Sequence, residues 1–594
     1  MPLTPAAISR ALSSISVRGW ISIALVAVSA VLYAISAYQS RFYLSNVDGI
    51  SYISIGRQYA GGMLDSALNA YWSPAVSWAI VPFLWMGIDE IVAFMIVNAI
   101  AAFVGTAVGA YFVWRFSKKN FWATTVFTVS AIFFFVGNLP TLTPDTMVVA
   151  WTIMFAYALA HINEVLDPGT LRQRIVGAVI LGVLCAIGYF TKLFLLPVFV
   201  LTILVWLAIR WFSTRSGERD VPLAERLRRW ALPPVATLIV FAVVSAPWIG
   251  AISLKYGEFT AGSSFSVNIG QKFDPDAAAK EENKDPLLLA SPPNDDAVSF
   301  GEDRTFQVEG DGFESASSPV QRITHYVGQR IKGFPWYMQK VSTIAPVAVV
   351  SMSLFLLALV FGLAGFRRHR PMVMSGILWG SYFLGYAGVA SAVSEGGNIR
   401  YMWPLMLLSV MTGAALIPGI WEKLGTNVFR KIVVAVLVAV VPLAAVIQHG
   451  TGYGYPFSPR PTASKGWDYM IGGKSPATSA LFADQLEADG AIPADSRIAG
   501  SNYRLTLRLA YYLESHVYGS AGRKYDITNP AFQSVLDQNG IQYWVQYTPV
   551  GQTAPDYGDY PVSVRNYEAE VSCSDDKGAT PEPCSIDILT LRNE

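Results

Sequence analysis

The chain has 594 residues, 53% of them hydrophobic and only 14% charged, with a mean hydropathy of +0.39. Soluble domains carry about 25% charged residues, so this composition excludes an ordinary water-soluble enzyme and points to a bilayer. A net charge of +1 says little about partners, because in a membrane protein the position of the charges matters, though no nucleic-acid partner is expected; three Cys exclude a disulfide-rich scaffold.

The first apolar run, 21–38, follows Arg10 and Arg18 and has the charged start and greasy middle of a signal peptide. It is longer than a signal core, lacks a small-x-small cleavage site and precedes many further spans, so an uncleaved first helix is expected. Runs long enough to cross about 30 Å of hydrocarbon follow at 91–114, 121–138, 145–162, 175–190, 193–210, 232–252, 343–366, 372–392, 401–420 and 432–448, for eleven spans in all. The stretch 73–88 is apolar but short and broken by Pro82; it suits a helix lying in the interface, anchored by Trp72, Trp78 and Trp85.

Charge sets the orientation. With a cytoplasmic N-terminus, alternate turns should be basic. They hold Arg115, Lys118 and Lys119, then Arg172 and Arg174, then six Arg between 210 and 229, then Arg367, Arg368 and Arg370, then Lys423, Arg430 and Lys431. The opposite turns 139–144, 190–192 and 393–400 hold only Lys192 and Arg400. An odd number of spans places the C-terminus and the long loop 253–342 outside. In that loop 273–318 is polar and Pro-rich, with the composition of a mobile segment, whereas 322–341 is amphipathic and basic and suits a helix at the membrane face.

After a Gly/Pro/Tyr-rich linker from about 449, short strand-like and helix-like runs alternate through 497–547, as in a small α/β domain. Cys573 and Cys584 lie close together there and could pair outside the cytosol, while Cys185 sits in an apolar span as a small core residue. The expected fold is therefore a polytopic α-helical membrane protein. Its membrane module spans 1–448, including outer loops 41–90 and 253–342, and an extracytoplasmic α/β domain spans 449–594. The chain shows no internal repeat, which weighs against transporters built from inverted halves.

Ionisable residues in or beside spans are costly and are functional candidates. Asp48, Asp145 and Glu395 share the outer side, as do the two cations that break the charge pattern, Lys192 and Arg400. A carboxylate can act as general base toward a hydroxyl, and fixed cations can stabilise a departing phosphate. Each residue also has a plainer role. Asp48 could cap a loop helix, and Asp145, after Pro144, could cap a span with help from the helix dipole. Lys192 could snorkel, and Arg400 could anchor beside Tyr401 and Trp403. Arg57 and Arg41 are weaker candidates, and His325 suits an exposed structural site. No phosphate-cradling Gly loop and no metal spacing occur; a divalent ion between Asp48 and Asp145 stays open, since hard cations take oxygen ligands.

Taken in order, "NVDGISY", "AYWSPAVSW", "TPDTMVVAWTI", "GYFTKLFLLP", "SAPWIGAISLKYG" and "RYMWPLMLL" resemble the polytopic GT-C glycosyltransferases that use polyprenyl-phosphate sugars. Within these the chain is similar to the protein O-mannosyltransferase and lipid A aminoarabinose transferase group, over roughly residues 20–450. The resemblance implies inverting sugar transfer from a polyprenyl-phosphate donor at the extracytoplasmic face of a bacterial inner membrane, with no nucleotide. It makes Asp48 the base and Asp145 the second acid. Lys192, Arg400, Tyr401 and Arg57 would stand at the donor phosphate, and Glu395, Tyr52, Trp72 and His325 on the acceptor side or in accessory roles. The acceptor would be a cell-envelope glycan, a glycolipid or a protein hydroxyl. One departure is Gly49 after Asp48, where those relatives often have Asp-Glu. A lipid-linked oligosaccharide polymerase or ligase, a lipid or sugar transporter, and a scaffold whose tail binds a partner are the alternatives.

Overall fold

In the computed structural model the described residues are 16–39, 46–166, 170–215, 231–264, 289–305, 370–390, 399–423, 478–519, 525–572 and 583–591, with a few isolated positions between. Helices α1 (Val17–Gln39), α2 (Val47–Ala60), α3 (Ala75–Trp85), α4 (Glu90–Phe116), α5 (Phe121–Asn138) and α6 (Asp145–Leu166) come first. They are followed by α7 (Leu171–Thr191), α8 (Leu195–Arg215), α9 (Leu232–Tyr256), α10 (Arg370–Ala390) and α11 (Trp403–Lys423). Nine of the eleven expected spans fall on these helices; 343–366 and 432–448 lie outside the described residues. Among the described residues, six helices (α1, α4, α5, α6, α7 and α9) are long and apolar enough to cross a membrane by length and composition.

The packing agrees with a lipid solvent. On α7, Ile175, Val176, Val179, Ile180, Val183 and Ile187 form an exposed stripe, while Gly177, Leu181, Cys185 and Tyr189 face the protein. A helix with one apolar face against its neighbours and another apolar face outward is stable in hydrocarbon and unfavourable in water. Similar outward rows occur on α1 (Val17, Ile21, Val28, Val31, Ile35) and α9 (Val235, Ile239, Val243). At the centre, α4 packs against α1, α5, α6 and α11, and α7 lies along α9. Cys185 is a buried free thiol, as expected.

Helix α3 occupies the expected interfacial stretch and contains Pro82. Trp85 and Trp78 are both exposed, Trp78 while also packing edge-on against Trp248 and Phe190. Trp72 turns inward and donates to Gly301 O at 2.8 Å, so it is not an interfacial anchor.

The C-terminal region contains α12 (Thr478–Ala488), β1 (Arg497–Gly500), α13 (Tyr503–Tyr512), β2 (His516–Val517), α14 (Pro530–Gln538), β3 (Tyr543–Pro549), β4 (Ser563–Ser572) and β5 (Pro583–Thr590). The strands form one sheet in the order β2-β1-β3-β5-β4. β1 pairs in parallel with β2 and β3, and β5 pairs antiparallel with β3 and β4. Cys584 on β5 is disulfide-bonded, while Cys573 lies outside the described residues.

One segment departs from expectation. Residues 289–305 lie within the stretch whose composition suggests mobility, yet they pack as an irregular strap between the helical bundle and the sheet. Ala297, Val298, Ser299, Phe300 and Glu302 are buried, and Ser299 bridges in parallel to Val517 at the sheet edge. The apolar residues scattered among its Pro and Asp are enough to pin it. The expected helix 322–341 lies largely outside the described residues.

Candidate active site

Four helix ends converge at one end of the bundle. Asp48 stands in the first turn of α2, whose N-cap is Asn46; the Asn46 side chain accepts from Asp48 N at 2.9 Å. The cap role is thus filled two residues earlier, and the Asp48 carboxylate is left to point elsewhere. It meets Arg400: Nη2 to Oδ2 is 3.1 Å. Gly49 explains the departure from Asp-Glu. A Cβ there would stand 2.6 Å from Leu142 Cβ and 2.8 Å from Leu142 O. No side chain fits, and this close approach lays the start of α2 on the loop that delivers Asp145.

Asp145 opens α6, where a carboxylate is favoured by the helix dipole. It is nearly fully buried, with its side chain 5% exposed, and accepts from Lys192 Nζ at 2.6 Å. Lys192 is the C-cap of α7, with extended backbone, at the end where a cation is favoured. The chain breaks there before α8, held by Leu193 N donating to Ser73 Oγ at 2.9 Å. Arg400 lies on the 3₁₀ turn Ile399–Met402 that leads into α11. Burial disfavours its charge, but Asp48 and Asp145 more than offset that, so its guanidinium pKa lies above the ordinary value.

Arg400 therefore bridges both acids, though unequally. Its Nε stands 3.7 Å from Asp145 Oδ2, and both of these buried atoms lack a hydrogen-bond partner among the described residues. The Tyr401 ring covers the cations, 4.8 Å from Lys192 Nζ and 5.3 Å from Arg400 Cζ. Tyr52, one turn after Asp48 on α2, is buried against Trp72 at 4.9 Å. Burial first, then the Asp48 and Asp145 charges, raise its hydroxyl pKa well above the ordinary range, so it is a neutral hydroxyl here.

Of the other expected site residues, Arg57 and Trp72 are described and are not brought into this cluster. Arg57 forms a bidentate pair with Glu90 at 2.7 and 2.8 Å, and Tyr511 OH donates to the same carboxylate at 3.0 Å. That geometry saturates the guanidinium's fork and leaves it a structural tie toward the C-terminal region rather than a second cation at Arg400. Trp72 reaches the site only through its packing on Tyr52. Glu395 and His325 lie outside the described residues.

A divalent ion finds a poor fit between Asp48 and Asp145. Each carboxylate already faces a fixed cation, and among the described residues no group of three or more His, Cys, Asp or Glu comes together. Sequence reasoning missed Glu302 and Arg304 in the strap. Glu302 lies in a Ser-Phe-Gly-Glu-Asp run inside a polar loop, with no spacing signal. Arg304 donates to Tyr71 OH at 3.1 Å.

No family model and no curated protein matches the chain. Among solved structures it is similar to ArnT from Cupriavidus metallidurans bound to undecaprenyl phosphate, at 14% identity and a TM-score of 0.49, over 96% of this chain and 98% of that one. It is likewise similar to the apo state of that protein, at 16% identity and a TM-score of 0.48 over the same shares. Likeness at this level leaves the chemistry to be argued from this chain's own residues.

Proposed function

We propose that this protein is an integral membrane glycosyltransferase of the GT-C class, moving a sugar from a polyprenyl-phosphate donor to an acceptor hydroxyl at the extracytoplasmic face. One observation carries the reading: Asp48, Asp145, Lys192 and Arg400, from four separate stretches, meet through contacts of 2.6 to 3.7 Å at one end of the bundle. Two acids and two cations at a membrane face suit a hydroxyl nucleophile and a phosphate leaving group.

The step is a single displacement with inversion. The acceptor oxygen forms a bond to the anomeric carbon as the bond from that carbon to the phosphate oxygen breaks. Asp48 takes the acceptor proton, and polyprenyl phosphate leaves with the electron pair. Lys192 and Arg400 face the charge that grows on the phosphate, while Asp145 holds both cations in place. Tyr401 shields the pair from water, which strengthens the electrostatics. The donor carries its own activation, so the reaction consumes no nucleotide.

Orientation follows from charge. The Arg and Lys at 115–119, 172–174 and 367–370 in the sequence follow the positive-inside pattern, which supports a cytoplasmic N-terminus and an extracytoplasmic C-terminal α/β domain.

The test uses full-length protein in liposomes with polyprenyl-phosphate-linked sugars and a cell-envelope extract as acceptor, reading release of polyprenyl phosphate. Wild type should release it, and Asp48→Asn should not, while both bind undecaprenyl phosphate. Full turnover by Asp48→Asn, or no lipid phosphate binding by wild type, would overturn the reading.

A further inference from the structure

The helix that carries Asp48 is held along its second half by the strap 289–305. On α2, Ser54 and Gln58 are i, i+4 neighbours on one face, and both donate to the Glu302 carboxyl group, at 2.8 and 3.1 Å. All three side chains are buried. The other Glu302 oxygen accepts from Val298 N at 2.6 Å. Around this junction Asn69 donates to Glu302 O, Trp72 Nε1 donates to Gly301 O, and Ser66 Oγ donates to Asp296 Oδ2 at 2.8 Å. The strap is therefore sewn to the first outer loop on one side.

Its other side is sewn to the C-terminal domain. Val517 N donates to Val298 O at 2.7 Å and Gly519 N to Ala290 O at 2.8 Å. His516 Nδ1 lies 2.9 Å from Ala297 O, and the Phe300 ring packs on Tyr503 at 5.3 Å. Helix α13 also lies directly against α2, and its Tyr511 completes the Arg57–Glu90 pair. The same domain thus reaches α2 by two routes, one through Glu302 and one through Tyr511.

We propose that the strap 289–305 and the C-terminal domain act as a clamp that sets the position of α2, with Glu302 and Tyr511 as its positioning residues. Neither residue touches the Asp48–Arg400 pair. Each acts through α2, a short helix outside the spans with its N-terminus at the site. A helix moves as a rigid rod, so a shift at Ser54 or Gln58 is passed to Asp48, and a displacement of about 1 Å at a reacting group costs on the order of a hundredfold in rate. The catalytic meaning of the clamp rests on the transferase reading; its mechanical content does not.

The test is hydrogen exchange on the full-length protein in liposomes, comparing wild type, Glu302→Ala, Glu302→Gln and Tyr511→Phe. Amides of 47–60 should exchange at least tenfold faster in Glu302→Ala and severalfold faster in Tyr511→Phe, while 90–166 keeps wild-type protection. Glu302→Gln, which keeps the shape and one acceptor, should restore most of the protection. Release of polyprenyl phosphate should fall in step with the loss of protection while undecaprenyl phosphate binding stays within twofold. Should Glu302→Ala fail to fold, Ser54→Ala replaces it with the same two readings. Unchanged exchange of 47–60 in both the Glu302 (or Ser54) and the Tyr511 variants overturns the clamp. Faster exchange with full turnover overturns its positioning role. Failure of the transferase reading shows separately, in Asp48→Asn.

Discussion

Helix α2 takes part in two ionic networks that differ in completeness. At its far end Arg57 and Glu90 meet in a bidentate pair closed by Tyr511, with each contact at hydrogen-bond distance. At its near end Arg400 reaches Asp48 at 3.1 Å but stands 3.7 Å from Asp145, and Arg400 Nε and Asp145 Oδ2 have no hydrogen-bond partner among the described residues. A saturated ion pair holds parts together. A buried pair left partly unsatisfied keeps desolvation energy in reserve for whatever completes it. One helix thus carries a saturated ionic tie at one end and a partly satisfied charge cluster at the other.

The sharpest way to break this distinction is Asp48→Asn. Loss of a general base should lower transfer by about 10²–10⁴-fold with lipid phosphate binding kept, read as release of polyprenyl phosphate. Next is Lys192→Ala, expected to cost about 10²–10³-fold in turnover, the scale of losing one donor to a developing oxyanion. It should also weaken undecaprenyl phosphate binding in a liposome titration, since it leaves Asp145 buried beside Arg400 alone. Gly49→Ala sharpens the geometry: its Cβ would press on Leu142, and overpacking typically costs about 1–3 kcal/mol. Lowered thermal stability together with reduced turnover would show that the approach of α2 to Leu142 sets the site. At the tie, Tyr511→Phe should cost only about 1 kcal/mol, the net value of one hydrogen bond, by thermal melting.

Glu302 adds a pH dependence of known sign. Burial pushes its carboxyl up to about 8, despite the Ser54, Val298 and Ser299 donors and the nearby Arg57 cation. The folded value lies above the unfolded one of about 4.3, so the neutral form stabilises the junction. That contribution is complete below the unfolded value and fades as pH rises through about 8. Asp296 and Asp303 on the strap and Tyr503 on α13 also face the junction. Thermal stability should therefore fall from pH 6 to pH 9 more in wild type than in Glu302→Gln; equal slopes would remove Glu302 as the cause.

Parts of this were legible in the chain. The convergence of Asp48, Asp145, Lys192 and Arg400 was open to sidedness reasoning, because each lies at the same end of its span and the two cations violate the charge pattern. Asn46 is not singled out as a cap in the sequence; only the structure shows its side chain taking that duty from Asp48. Arg57 misled, since the Glu90 and Tyr511 that engage it belong to other elements and no local pattern names them. The strap hid inside a polar loop, its buried Val298, Phe300 and Glu302 too sparse to read as an element. Strands β4 and β5 fell beyond the alternating runs of 497–547, although "SVRNYEAEVS" has strand-like alternation.

By itself the sequence determined where the apolar helices lie, because a bilayer demands length and apolarity of each segment separately and local composition answers that demand. It also determined which charges lie at which ends of the spans. Only the tertiary structure decided which of those charges meet, which are saturated, and that the strap 289–305 and α13 pack on the helix bearing Asp48. Those outcomes depend on ångström-scale packing between segments hundreds of residues apart, where a Gly at 49 or a carboxyl at 302 matters through its neighbours in space.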